Sequence, residues 1–251
     1  MSSNFSTYLG RILEGLPFTV WATIGGIALT IALSFIAGIA MLSPSRAVRF
    51  VSRLYVEGFR GTSEVVQLFF FAVAIPIFLG VTLGATAQGL LLIGVTVLGL
   101  NHGAYGAEIV RGAIRSVPTA QVEAAISVNL SPTQRMWRVV LPQAVVEMIP
   151  SFNNLFIQLV KATALLSFIA VPEIFKKADE LRAVPAFSRE LGIIYTIQLV
   201  VYLIIAVVIT AIMRALERLA ARRAGRPVGV RRAAKSGGGM RRRIWGGAAY
   251  S

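Results

Sequence analysis

From Val65 to Ala107 the chain carries no Asp, Glu, Lys or Arg. One helix needs roughly 20 apolar residues to cross the hydrocarbon core of a bilayer, and this run is about twice that. Lipid offers the backbone no hydrogen-bonding partner, so a spanning segment must satisfy its own N–H and C=O groups as a helix. The run therefore predicts two helices, with the break in the Gly- and Thr-rich stretch from Gly80 to Gly89. Pro17–Leu42 and Leu191–Met213 are also free of charge, and each is long enough for one span. Gln143–Val171 makes a further span interrupted by polar residues. With 56% hydrophobic and only 14% charged residues, the chain is too apolar for a soluble domain. The expected fold is all-α, a polytopic membrane protein with about five spans near 17–42, 64–84, 87–107, 143–171 and 191–213. Residues 1–16 are mildly polar and lack the basic start and small-residue cleavage site of a signal peptide. Positions 5–16 suit a short surface helix.

Five spans put the two ends on opposite sides, and arginine placement decides which is which. Arg46, Arg49, Arg53 and Arg60 fall in the loop at 43–60. Arg111, Arg115, Arg135 and Arg138 fall in the central loop at 108–142, and more follow after Arg214. The other side receives Arg11, a neutral turn near residue 84 and a loop at 172–190. In that loop Lys176, Lys177, Arg182 and Arg189 offset Glu173, Asp179, Glu180 and Glu190. The expectation is N-out, C-in, with 1–16 outside and the central loop in the cytoplasm. The net charge of +14 then lies along a membrane face and calls for no nucleic acid. Residues 219–251 read as a basic, disordered tail, and Arg231, Arg232, Lys235 and Arg241–Arg243 suit anionic headgroups. Trp21, Trp137 and Trp245 suit interfacial anchoring.

Several chemistries are excluded. There is no cysteine and one histidine, which leaves no thiolate or His-rich metal site. There is no Gly-x-x-x-x-Gly-Lys-Ser/Thr string, so the chain has no phosphate-cradling loop of its own. Catalytic residues are not expected, nor is a cofactor on this chain. His102, beside Asn101, fits a hydrogen-bonded structural role better than a place on a pathway.

The fourth span carries the most informative pattern. Glu147, Ser151, Asn154, Gln158 and Lys161 follow one another at steps of four, three, four and three, which is one face of a helix. Such a stripe is costly in lipid and must meet protein or water. It either lines a translocation route or forms a seam between subunits, and the sequence leaves both open. Glu147 and Lys161, near its ends, can also reach toward water. Glu64 and Gln67 make a smaller polar pair at the start of the second span, where Glu64 fits an interfacial place near Arg60 as well as a pathway role.

The central loop runs E-A-A-I-S-V-N-L-S-P-T-Q-R-M-W-R-V-V-L-P from Glu123 to Pro142. Glu123-Ala124-Ala125, three residues, Asn129, nine residues, then Val139-x-Leu141-Pro142 resembles the cytoplasmic-loop signature of bacterial ABC importer permeases. Asn129 stands where that pattern has Gly, and Val139 where it has Ile. Asn tolerates left-handed backbone, so the turn is retained. Pro132 and Pro142 are expected to bound turns. The resemblance covers roughly residues 15–220. Tyr55-Val56-Glu57, Phe59-Arg60-Gly61-Thr62, Val66-Gln67, Gly99-Leu100-Asn101, Val140–Ala144, Pro150, Asn153-Asn154, Lys161 and Val171-Pro172-Glu173 are similar to the polar amino-acid uptake group. Ser63-Glu64 depart from the Pro-Leu common there, and Ala162 departs after Lys161. The strings at 61–68 and 101–108 look most like ectoine/hydroxyectoine permease subunits.

That resemblance implies a type I importer permease fold. It implies a second permease subunit, identical or homologous, a cytoplasmic ATPase dimer that binds ATP and Mg, and an extracytoplasmic solute-binding protein. Glu123, Ala124, Ala125, Asn129, Leu141 and Pro142 become the ATPase-coupling residues, against the alternative that Glu123 is only a solvated first-turn acid. The rivals are an ion-coupled carrier, which would need embedded acids that spans one, three and five lack, and a membrane scaffold without transport.

Overall fold

The computed structural model describes residues 2–80, 84, 86–184 and 190–223, and every regular element among them is helical. Most of the basic tail read from the sequence, from residue 224 onward, lies outside the described residues, as do 81–83, 85 and 185–189. The elements are α1 (Ser2–Leu13), α2 (Leu16–Ala40), α3 (Arg46–Arg60), α4 (Glu64–Phe69) and α5 (Ile75–Leu79). They continue with α6 (Ala87–Arg115), α7 (Thr119–Ser127), α8 (Pro132–Arg135), α9 (Leu141–Ala162), α10 (Ile174–Arg182) and α11 (Leu191–Arg223). Four helical runs among them are long and apolar enough to cross a membrane, at Phe5–Ala40, Ala87–Arg115, Pro132–Ile169 and Leu191–Arg222. A bent pair, α3 with the helix after it, brings the number to five if it is counted as one span.

The break expected between Gly80 and Gly89 has a local cause at each end. Gly80 takes φ 64°, a conformation that ends a helix and suits Gly. Thr86 then caps α6, its Oγ1 accepting from Gly89 N at 3.1 Å. The α2–α6 pair forms the spine of the bundle. A Cβ on Gly99 would stand 2.5 Å from Leu29 Cδ2, and one on Gly103 2.8 Å from Leu33 Cβ. Both helices advance by four residues in the same direction, so they lie parallel, with small residues admitting the partner's leucines. Val110, Ala144, Met148, Phe152 and Phe156 build a core between α6 and α9, with Met213 joining from α11.

Three expectations change or gain detail. The first concerns α1, a surface helix exposed at Phe5–Thr7, Gly10, Arg11 and Leu13 but anchored along one side. Tyr8 and Ile12 are fully buried against Ile174 and Ala178 of α10 and Ile194 of α11. The second concerns Pro142, which bounds no turn. The chain is helical from Pro132 to Ile169, through a π-helical turn at Met136–Val140 and a 3₁₀ turn at Thr163–Ile169. A proline inside a helix loses its N–H bond and crowds the carbonyl four residues back; widening the preceding turn relieves both. The same device recurs at Phe70–Ala74, a π-turn just before Ile75-Pro76. The third concerns α6, which runs on to Arg115, past the predicted end of its span and into what was read as loop.

Candidate functional site

The polar stripe of the fourth long helix faces outward. Glu147, Ser151, Asn154, Gln158 and Lys161 are all exposed, while the intervening Met148, Phe152, Leu155, Leu159 and Val160 are buried. The helix therefore turns its greasy side into its own bundle and its hydrogen-bonding side out. This inverts what a lipid-facing helix needs, because polar groups in hydrocarbon are costly. A groove of about 310 Å³ between α2, α9 and α11 lies elsewhere. Its lining of Ile31, Phe35, Phe152, Ile209 and similar side chains gives a polar solute nothing to bond.

Glu64 and Gln67 are not part of that surface. Gln67 is buried: its Nε2 donates to Thr62 Oγ1 at 2.6 Å and Phe59 O at 2.9 Å, and its Oε1 accepts from Asn101 Nδ2 at 3.1 Å. Asn101 Nδ2 also donates to Phe59 O at 3.0 Å. The cluster clamps the α3–α4 bend onto α6. It satisfies groups freed at the break, which explains a buried amide there without any solute. Glu64 is half-buried at the start of α4. His102 is buried, with Nδ1 3.1 Å from Leu98 O, as a structural histidine should be.

The loop signature is a compact capped unit. Asn129 has φ 61°. Leu130 N donates to Ala125 O at 3.1 Å and Asn129 N to Ile126 O at 2.8 Å, the two bonds that close a helix end through a left-handed residue. Ser131 and Gln134 then form a reciprocal cap on the next helix, Ser131 Oγ accepting from Gln134 N and Gln134 Oε1 from Ser131 N. The Ser-x-x-Gln spacing at 131–134 is the sequence pattern of a capping box. The two alanines differ. Ala124 is exposed with Glu123, whereas Ala125 is buried. Val122 and Met136 pack against the α6–α9 core, and Gln143 Nε2 reaches Gln121 Oε1 at 3.4 Å, so α7 is seated on the end of the bundle. Leu141 is half-buried and Pro142 exposed on the helix beyond.

Glu173 was missed as a site because it read as one charge among eight in a mixed loop. It is fully buried. Its carboxylate accepts from Phe175 N and Lys176 N at 2.7 Å each and from Tyr202 Oη at 2.9 Å. It thereby caps α10 and ties it to α11, while Ile174 N donates to Thr19 Oγ1 of α2 at 3.2 Å. Burial pushes its pKa up to about 7 against the pull of these bonds.

Residues 10–223 match the family model described as "binding-protein-dependent transport system inner membrane component". The chain belongs to this family. As a member of these inner-membrane components, it is 42% identical over 205 residues to a probable amino-acid ABC transporter permease protein of Sinorhizobium fredii, covering 80% of this chain and 84% of that one. It is 38% identical over 174 residues to the L-cystine transport system permease protein of Bacillus subtilis, covering 69% of this chain and 70% of that one. A crystal structure of an amino acid ABC transporter with histidines matches with TM-score 0.75 and 26% identity, over 86% of this chain and 96% of that one. An inward-facing methionine ABC transporter, at 19% identity and TM-score 0.63, shares the fold. The permease is thus an all-helical membrane component with the type I importer fold.

Proposed function

We propose that this permease carries polar amino acids or related zwitterions inward, powered by a separate ATPase dimer that holds ATP and Mg, and supplied by an extracytoplasmic binding protein. The outward stripe on the fourth long helix carries the reading. Ser151, Asn154 and Gln158 offer neutral hydrogen-bonding groups between a Glu147 carboxylate and a Lys161 ammonium, a sequence suited to a solute bearing both charges. Facing a second permease subunit, identical or homologous, across a water-filled route, the stripe loses its cost in lipid. Glu64 and Gln67 drop out of the route, since the bend of the second span accounts for Gln67. The substrates named for the relatives, L-cystine among them, support the amino-acid class. Within that class the strings at 61–68 and 101–108 favour ectoine or hydroxyectoine.

The coupling part of the proposal rests on α7. Glu123 and Ala124 stand exposed beside Ile126 and Val128, which are 52% and 69% exposed. They make a small apolar patch edged by one acid, which fits a groove on the ATPase. Asn129 fixes the end of this helix, and Ala125, Leu141 and Pro142 belong to its seat. The arginine distribution supports N-out, C-in, with 1–16 outside, the permease body at 17–218 and the basic tail at 219–251 on cytoplasmic headgroups.

Uptake by the reconstituted complex tests the route. Asn154→Leu or Gln158→Leu should cut transport at least several-fold while the subunit still co-purifies with its ATPase. Normal transport by whatever complex assembles would make the stripe a structural seam.

A further inference from the structure

Helix α3 has three distinct faces. Ser52 and Val56 are buried against the bundle, and Tyr55 Oη donates to Leu100 O of α6 at 2.7 Å. Arg46, Arg49, Arg53 and Arg60 form a basic row, with Glu57 the only acid on the helix. The remaining face is apolar and bare: Phe50, Val51 and Leu54 are 66%, 64% and 64% exposed. Two of the arginines are engaged internally. Arg49 donates to Ser43 O at 2.6 Å and Pro44 O at 2.9 Å, and Arg60 lies 5.1 Å over the Tyr105 ring. Arg46 and Arg53 are exposed and have no ion-pair partner among the described residues.

The helix also turns 103° from the one that follows it. If α4–α5 crosses the membrane, α3 cannot run beside it and must lie across it. The contacts give its depth: Arg60 lies over Tyr105 and Val56 packs against Ala107 of α6, next to Glu108, where charge resumes in the sequence, while Tyr55 reaches deeper, to Leu100. The inner corner of the bend holds a hollow of about 430 Å³, lined mainly by Val51, Leu54, Tyr55, Phe59 and Phe71. A row of cations beside an apolar face is the pattern of a helix lying in a headgroup–acyl boundary.

We propose that α3 lies flat in one leaflet as a docking site for an anionic phospholipid. Arg46 and Arg53 take the headgroup phosphate, and an acyl chain fills the corner over Val51, Leu54 and Phe71. Only the assignment to the cytoplasmic leaflet rests on the N-out, C-in reading.

The chain has no cysteine, so Val51→Cys or Leu54→Cys carries a single environment-sensitive fluorophore. The labelled permease–ATPase complex is placed in nanodiscs of phosphatidylcholine with or without phosphatidylglycerol. Phospholipid brominated near the headgroup should quench both labels. Phosphatidylglycerol brominated at the same depth should quench several-fold more than its phosphatidylcholine counterpart, and Arg46→Gln with Arg53→Gln should abolish that preference. Three outcomes overturn the proposal: quenching by aqueous iodide in place of lipid; shielding from both, meaning that protein covers the face; or equal quenching by the two headgroups. A wrong leaflet would leave the lipid quenching intact and would appear separately, as a reversed topology-reporter pattern.

Discussion

Asn129 and Glu173 each hold an uncommon state, a left-handed backbone and a fully buried carboxyl. At φ 61° a side chain crowds its own backbone, at a cost of about 1–2 kcal/mol for most residues, while Gly is free of it and Asn nearly so. Asn129→Gly should therefore leave thermal stability and uptake unchanged or slightly improved, and Asn129→Val should lower stability by about 1–2 kcal/mol. A large loss in the glycine variant would mean that the Asn129 side chain has a contact of its own. The positive φ was foreseeable, because the importer signature has Gly at this position. Glu173 was not, since nothing in a mixed-charge loop marks which acid is buried. Its pKa of about 7 stands above the ordinary 4.5, so the folded state binds the proton more tightly than the unfolded chain does. The protonated carboxyl's contribution to stability is complete below pH 4.5 and is lost as pH rises to about 7. Compared with Glu173→Gln, the detergent-solubilised wild type should gain in melting temperature as pH falls from 7 to 4.5, with a constant difference above that range. A pH-independent difference throughout would rule out a titrating Glu173.

At the level of elements, α7 divides the Ala-Ala pair by burial. Ala124 points out and Ala125 in, which the sequence alone could not decide, because two neighbours on a short helix differ only by its rotation on the bundle. Ala124→Trp should block ATPase co-purification while leaving the permease as stable as wild type. Ala125→Trp should destabilise the loop itself, since overpacking a filled site costs roughly 1–3 kcal/mol. If Ala124→Trp binds its ATPase and transports normally, the exposed face of α7 is not the coupling surface. The long helices were legible because lipid allows only one answer to a charge-free run. The π-turns before Pro76 and Pro142 were not, because proline in a sequence signals a break, and only the packed bundle selects a widened turn instead. Positions 5–16 carry the expected surface helix, but their mild polarity hides that Tyr8 and Ile12 lie on one side and meet α10 and α11.

Across the whole molecule, the proposed orientation rests on charge placement and the proposed transport route on the outward stripe. A reporter active only in the cytoplasm should work when fused after Arg218 and be silent when fused near Asp179; the reverse pattern would invert the topology. The stripe's residues were readable from their spacing, but whether they faced in or out was not, since the same period fits either. Their exposure beside buried Met148, Phe152 and Leu159 makes the stripe costly in lipid, and the proposed water-filled route removes that cost. Cysteine placed singly at Ser151, Asn154 or Gln158 of the assembled complex, in a chain that has no other, tests this most directly. A membrane-impermeant thiol reagent should modify each of the three, transported solute should slow that modification, and cysteine at lipid-facing Leu203 should stay unreactive. Failure of the reagent to reach the stripe in a complex that still transports would contradict the account.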